Sequence, residues 1–304
     1  MPKKLFYVQK FVYLRAMNPI QYIIESDRDL LWGLSVCSVG FQHVEAGAPY
    51  PPRHHAENYL FNPLTGRVLQ EYQLLYITRG QGILKTAHAG EQQVDAGTMF
   101  LIFPGEWHTY QPDLSTGWDE YWIGFKGPNI DHRVAAGFLS PEHPVYRVGQ
   151  LEVGVNLYRE AIHVATRQEA YFQQLLCGIV NHLLGLMFMT SINRDYDRES
   201  DVPELISRAR DFMQRCIEED ISMPDVASAL NVSYTTFRRL FKRYTGLAPS
   251  QYFINLRLHR AKQLLRSTDC SIKEIAFRLH FENPEYFATL FKKRTGLRPS
   301  DFRT

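Results

Sequence analysis

The residues of this chain with the plainest chemical capacity lie near its end. Thr235, Arg238, Arg239 and Lys242 fall on one side of a helical pattern, while Phe237, Leu240, Phe241 and Tyr244 recur at i, i+3, i+4 and i+7 on the other. The apolar side must face a core, so hydroxyl, guanidinium and ammonium groups are left pointing outward. A guanidinium fork donates two bonds to a guanine edge or a phosphate, and this face therefore suits a polyanion whose bases can be read. Fifty residues on, Phe287, Leu290 and Phe291 repeat the apolar side. There the outward residues are Pro284, Glu285, Ala288 and Thr289, followed by Lys292, Lys293 and Arg294. That second face has fewer groups that read bases and more that grip phosphates.

A second set of chemically able residues lies in the first half: Arg53-His54-His55-Ala56-Glu57, and His108 within GTMFLIFPGEWHTY. A hydrolytic or oxygen-activating metal needs three or four converging ligands. Adjacent histidines on an extended strand point to opposite faces, so His54 and His55 cannot both join His108. No metal, no cofactor and no enzymatic activity are expected. Cys37, Cys177, Cys216 and Cys270 are widely separated and include no CxxC, so they read as small buried apolar residues.

Groups placed in this way need elements to hold them. Val226-Ala227-Ser228-Ala229-Leu230 overlays Ile275-Ala276-Phe277-Arg278-Leu279 at an offset of 49, and downstream the offset becomes 50, through Thr245, Gly246, Leu247, Pro249 and Ser250. Each unit reads as a short helix (224–230; 272–279), a tight turn, and a second helix capped by Ser233 or Asn283 and closed by Gly246 or Gly296. Residues 249–267 form one helical spacer between the units. At 1.5 Å per residue it spans about 28 Å, close to the roughly 34 Å turn of B-DNA, so two probes could enter successive major grooves.

Upstream the pattern is different. Short β-rich runs at 34–43, 72–78, 83–88, 99–103 and 121–125, broken at 47–52, 79–82 and 89–91, predict an all-β sandwich or barrel. After Gly149 the period becomes helical, first over about 151–164 and then along Phe172, Leu175, Leu176, Ile179, Leu183 and Leu186. Two such helices predict a hairpin, with Phe172, Leu176, Ile179, Leu183 and Leu186 as the dimer contact and intrachain packing as the alternative. Residues 193–203, NRDYDRESDVP, carry six charged side chains and predict a solvated linker.

The 304 residues hold 34 basic and 32 acidic groups, a net of +2, but the total conceals a division. Residues 204–304 have 18 basic against 11 acidic side chains, a net of +7, and the remainder has −5. Such asymmetry suits a polyanion-binding module joined to a different one. A hydrophobic share of 45% excludes extended disorder. The strongest apolar stretches, 99–103 and 183–189, fall short of the about 20 residues of a bilayer span. Gln9, Lys10 and Arg15 interrupt the apolar run a secretory signal requires, so a cytoplasmic location without membrane association is expected.

TGLAPSQYFINLRLHRAKQLLRSTDCSIKEIAF and FENPEYFATLFKKRTGLRPSDFR, in this arrangement, resemble the DNA-binding domain of AraC-type (AraC/XylS) transcriptional regulators over about residues 204–304. The resemblance implies that Thr235, Arg238 and Arg239 read bases from the first unit and Glu285 and Thr289 from the second, with Lys242, Lys292 and Lys293 beside them. Two positions depart from the family: His280 stands where glycine is general in the second turn, and Thr289 where arginine is frequent. GTMFLIFPGEWHTY resembles the second half of a cupin pattern. Over about residues 34–125 the family resemblance implies a barrel that binds a small effector, sugars being the best-attested class, with Tyr110, Glu120 and Trp122 at positions that look like sugar-contacting ones. The residues suit that task by their own chemistry: Trp122, Trp107 and Tyr110 can stack on a sugar ring, and Glu120, His108 and Arg67 can bond its hydroxyls.

The fold expected is mixed: an N-terminal cupin-like double-stranded β barrel with a helical dimerisation hairpin, then an all-α domain with two helix-turn-helix units. The expected boundaries are 1–148 for the effector-binding domain with its N-terminal arm, 149–192 for the hairpin, 193–203 for the linker and 204–304 for the DNA-binding domain. The expected function is a sequence-specific DNA-binding transcriptional regulator that answers to a sugar or sugar-derived effector. Its expected partners are a double-stranded operator, a carbohydrate, a second copy of itself and, if it activates, RNA polymerase. Two other readings stay open: a barrel that binds a protein partner, and a metal-dependent cupin enzyme fused to a basic helical domain.

Overall fold

The computed structural model describes residues 19–51, 62–197 and 201–303; His54, His55 and Glu57 lie outside them. The chain divides between Asp195 and Tyr196 into two compact units. The first is built on strands β1 (Ile20–Tyr22), β2 (Ser35–Val44), β3 (Arg67–Val68), β4 (Tyr72–Thr86), β5 (Gly90–Asp95), β6 (Thr98–Ile102), β7 (Trp107–Pro112), β8 (Trp118–Lys126) and β9 (Val145–Arg147). One path of antiparallel pairing runs β1-β2-β8-β4-β6-β9; β5 and β7 branch from β4, and β3 pairs with β7.

β4 continues through residues 79–82, where the sequence predicts a break. Its first half pairs with β6 and β8 and its second with β5 and β7. The register with β8 slips between Ile77 and Arg79, and Gly80 takes a φ of 78°. The Gly117 carbonyl lies so near that a Cβ at position 80 would collide with it. This bulge with its glycine bends one strand around the barrel corner, so that it serves both walls.

Alternation along β8 separates two cores. Trp118 and Trp122 cluster with Val44, Leu75, Leu84, Phe100 and Tyr110 inside the barrel. Tyr121, Ile123 and Phe125 face outward with Phe41, Leu74 and Tyr76, and meet the helices. Those helices are two short ones, α1 (Asp27–Leu30) and α2 (Pro128–Ala135), and a hairpin of α3 (Glu152–Arg167) and α4 (Phe172–Asp197). α3 is anchored by the buried Tyr158, whose hydroxyl donates to the Leu74 carbonyl at 3.0 Å. Gln173 on α4 bonds both the N–H and the C=O of Val36, at 3.0 and 2.9 Å, beside the bulge that leaves this stretch of β2 out of register.

The stripe expected to meet a second copy serves the chain's own fold instead. Leu176, Ile179 and Leu183 are buried in the outer core with Val180, Leu184 and Met187, while Phe172 and Leu186 are half-buried. The outer sheet face is apolar and must be covered, and α3 and α4 cover it together. Left outward on α4 are Leu175, Gly178, His182, Gly185, Met189 and Ile192, with open space beside both glycines. Residues 172–193 form an uncharged helical run whose most apolar 18-residue stretch has mean hydropathy 1.8, long and apolar enough to cross a bilayer by length and composition. Packing of its inner face in the outer core accounts for part of that composition, since 39% of that stretch is buried. The helix also runs on to Asp197, into the stretch expected as a linker.

The second unit comprises α5 (Val202–Arg215), α6 (Met223–Ala229), α7 (Tyr234–Thr245), α8 (Pro249–Ser267), α9 (Ile272–Arg278), α10 (Pro284–Thr295) and α11 (Pro299–Arg303). Two hydrophobic clusters fill it. One joins α5, α6 and α7 to the start of α8 through Phe253, and the other joins the rest of α8, from Leu258, to α9 and α10. The duplication extends to the caps. Ser222 and Ser271 open α6 and α9 with capping boxes to Asp225 and Glu274, and Ser233 and Asn283 cap α7 and α10. Gly246 and Gly296 close those helices in the left-handed region, and Asn231 and His280 turn the chain between helices at φ of 56° and 51°.

Candidate nucleic-acid interface and barrel site

On α7, burial of Phe237, Leu240 and Phe241 fixes which side is presented. Phe237 meets Phe241 edge-on at 5.4 Å between ring centroids, and Phe241 meets Tyr252 of α8 at 5.3 Å. Thr235, Arg238, Arg239 and Lys242 are exposed as expected from the helical period. With Tyr234 and Arg243 they line a shallow concavity of about 540 Å³. A division of the helix into only two faces misses Tyr234 and Arg243, because both sit at the border. On α10, Glu285, Thr289, Lys292 and Lys293 are likewise on the outward side, over buried Phe287 and Phe291. Tyr286, 43% exposed, is a further hydrogen-bonding and stacking group there.

Each second helix thus follows a tight turn and presents a polar or basic face at its N-terminal half. This is the geometry with which a helix-turn-helix enters the major groove. His280 adopts the left-handed turn that glycine would occupy at no steric cost.

Inside the barrel the five residues expected to meet an effector do converge. β3 pairs with β7 so that Arg67 stands opposite His108. The Arg67 guanidinium donates to His108 Nε2 at 3.3 Å and to the Tyr110 hydroxyl at 2.9 Å. The His108 and Tyr110 rings stack at 6.2 Å, tilted by 8°. Burial pushes His108 down to about 4, which leaves it neutral at physiological pH and able to accept from Arg67. From β8, the Trp122 indole lies against Gly40, where any Cβ would strike the ring.

Glu120 is the unusual member. Its side chain is buried, and the Tyr50 hydroxyl donates to both carboxylate oxygens at 3.2 Å. Burial raises it to about 8, against the opposing pull of that hydrogen bond and of the Arg67 charge. Nearby, the buried Trp118 Nε1 has no acceptor among the described residues. Sequence reasoning does not single out Tyr50 or Trp118: Tyr50 sits in a stretch of turn residues, and Trp118 reads as ordinary core. Trp107 does not join the site, because β7 alternation turns it to the other face, where its Nε1 donates to the Thr65 carbonyl at 2.8 Å. No cluster of three metal-ligating side chains occurs among the described residues.

Each half of the chain matches a known family. Residues 47–177 match a family described as AraC-like ligand binding domain, and residues 226–304 match a helix-turn-helix domain family. The chain is 26% identical over 240 residues to the lactose operon transcription activator of Staphylococcus xylosus, covering 78% of this chain and 85% of that one. It is 27% identical over 279 residues to the arabinose operon regulatory protein of Salmonella typhimurium, covering 86% and 92%. Among solved structures, an AraC-type DNA-binding regulator from Chromobacterium violaceum is 34% identical, covering 34% of this chain and 93% of that one with a TM-score of 0.33. Both halves match in the order the sequence implies, and the chain belongs to the AraC-type transcriptional regulators, as a sequence-specific DNA-binding protein with a ligand-binding barrel.

Proposed function

We propose that this regulator binds a mono- or oligosaccharide inside its barrel and that occupancy changes how the DNA-binding units of a homodimer sit on an operator. The observation that carries the effector reading is Glu120: a buried carboxylate with one hydroxyl donor among the described residues, set among Arg67, His108, Tyr110 and Trp122. A sugar supplies what suits this interior, several hydroxyl donors for the carboxylate and an apolar ring face for the indole. The names of the lactose and arabinose relatives point the same way. Convergent polar groups in an aromatic interior favour a small ligand over a protein partner. We assign no catalytic residue. The proposed setting is the cytoplasm, where operator and, for an activator, RNA polymerase are found.

The proposed dimer contact is the outward face of α4. Leu175, Gly178, His182, Gly185, Met189 and Ile192 follow the alternating three- and four-residue steps of a coiled-coil seam. About a two-fold axis between His182 and Gly185, an antiparallel copy sets Leu175 on Ile192, Gly178 on Met189 and His182 on Gly185. Every glycine then faces a long side chain, whereas a parallel copy would set glycine on glycine. β8 links the two sites in this proposal: Glu120 and Trp122 face the effector, while Tyr121 and Ile123 between and beyond them pack in the outer core with α4. The test is thermal unfolding of the whole protein against a panel of mono- and oligosaccharides. A bound sugar at 100 times its dissociation constant stabilises by about 2.7 kcal/mol. The expected result is a selective shift that Trp122→Ala abolishes, and a panel with no shift overturns the effector reading.

A further inference from the structure

The two helix-turn-helix units share no hydrophobic cluster. They are joined by α8, whose start belongs to one core and whose remainder to the other. A single helix packed into both cores sets the distance between two probes, and contacts between the units outside that helix limit how far it can bend or twist. The loop of residues 216–222, between α5 and α6 of the first unit, supplies a tie. The Glu218 carboxylate accepts from Arg260 Nε on α8 at 2.7 Å and from Arg278 Nε on α9 at 2.8 Å. The Glu218 carbonyl lies 3.0 Å from His280 Nε2, in the second unit's turn. Arg257 of α8 donates to the carbonyls of Ile217, Glu219 and His280, at 3.4, 2.8 and 3.2 Å, and lies over the Phe253 ring at 4.4 Å.

We propose that this polar brace, centred on Glu218 and completed by His280, fixes the angle between the two recognition helices and so determines how strictly the protein reads the separation of its two DNA boxes. Glycine at position 280 would make the same left-handed turn without strain, but it would remove the ring that reaches the first unit. The Glu218 ion pairs are half-exposed, so their contribution to stability is small, and geometric constraint is what four converging side chains add. Glu218 and His280 are therefore positioning residues, distant in role from the faces that touch DNA.

The test uses the full-length protein and two variants, His280→Gly and Glu218→Gln. Neither removes a residue from a hydrophobic cluster, and the first places glycine where the backbone favours it. Selection from a random duplex pool gives the preferred motif of each protein directly. The wild type is expected to select two boxes at one separation and to lose about tenfold in affinity when one base pair is inserted between them. The variants are expected to keep the first box while tolerating separations one base pair either side, with a loss of about threefold or less on the same insertion. Spin labels on α7 and α10 should give a narrow distance distribution in the wild type and broader ones in the variants. Identical two-box motifs with identical spacing penalties in all three proteins, or a wild type that selects a single box, would overturn the proposal.

Discussion

Replacing Glu120 by glutamine keeps its volume and an acceptor for Tyr50, and removes only the ability to ionise. An ordinary glutamate titrates near 4.5, whereas burial raises Glu120 to about 8. Below the lower value both folded and unfolded chains hold the proton. Between the two values the unfolded chain releases it while the folded barrel retains it, so the folded state binds more protons and stability falls as pH rises. Above about 8 both states are ionised and the loss is complete. At about 1.4 kcal/mol per pH unit, the full interval is worth on the order of 5 kcal/mol, of which about 3 to 4 kcal/mol falls between pH 5 and pH 8. Glu120→Gln should be free of this term. Its unfolding free energy, minus that of the wild type, should grow by that amount from pH 5 to pH 8.

Urea unfolding of the whole protein can be followed by tryptophan fluorescence, because Trp32, Trp107, Trp118 and Trp122 all belong to the first unit and report the barrel alone. Parallel pH profiles for wild type and variant would refute the reasoning, and so would a wild type that gains stability over the variant as pH rises. A second consequence concerns binding. A sugar whose hydroxyls donate to Glu120 stabilises the carboxylate, so binding near neutral pH should release a proton and tighten as pH rises towards 8. Calorimetry in buffers of different ionisation heats reads that proton directly.

Arg238→Ala or Arg239→Ala should cost about 1 to 3 kcal/mol at the preferred site and relax the choice of one base, while Lys292→Ala should weaken all duplexes alike and lower the salt dependence; equal losses on random and preferred DNA for all three would contradict that division. Gly178→Leu meets open space within its own chain and should leave the fold intact while raising the dimer dissociation constant at least about tenfold through overpacking against Met189 of the second copy; an unchanged sedimentation profile would exclude the α4 seam. Leu183→Ala, on the opposite face, should cost about 2 to 5 kcal/mol of barrel stability whether or not the protein dimerises, as denaturant unfolding will show. Gly40→Val should displace the Trp122 indole and abolish the thermal shift given by the effector.

The DNA-binding half was legible because its signals are local. Ser233, Asn283, Gly246 and Gly296 cap their helices through bonds made within a few residues, and the period of Phe237, Leu240 and Phe241 fixes the outward face without reference to anything distant. The barrel was legible only in outline. β4 reads as two strands because Gly80 and Gly82 look like a turn, whereas they mark a bulge whose purpose emerges only when β8 lies alongside. β5 and β7 carry polar residues on one face and escape the pattern, although β7 brings His108 and Tyr110 to Arg67. Residue type and resemblance name the candidate effector residues, but not the partner that matters most to Glu120. Tyr50 reaches it across 70 positions of sequence, and no local pattern announces such a contact.

The reversal on α4 has a different cause. A helix flanked by solvent on one side shows a single apolar stripe, but α4 shows apolar residues nearly all round, so periodicity alone cannot say which stripe is inward. Leu176, Ile179 and Leu183 look like a dimer seam by spacing, and so do Leu175, Met189 and Ile192. What separates the stripes is the company each keeps. The inner one is unbroken by glycine and shares one buried core with Phe41, Leu74 and Tyr76, where a missing side chain would leave a cavity. The outer one contains Gly178 and Gly185, which lower helix propensity and fill nothing inside the chain. Two glycines seven residues apart on an outward helical face make physical sense where another backbone or a long side chain must come close, and the same spacing that hid the inner stripe thereby favours the outer one as the surface proposed for a second copy.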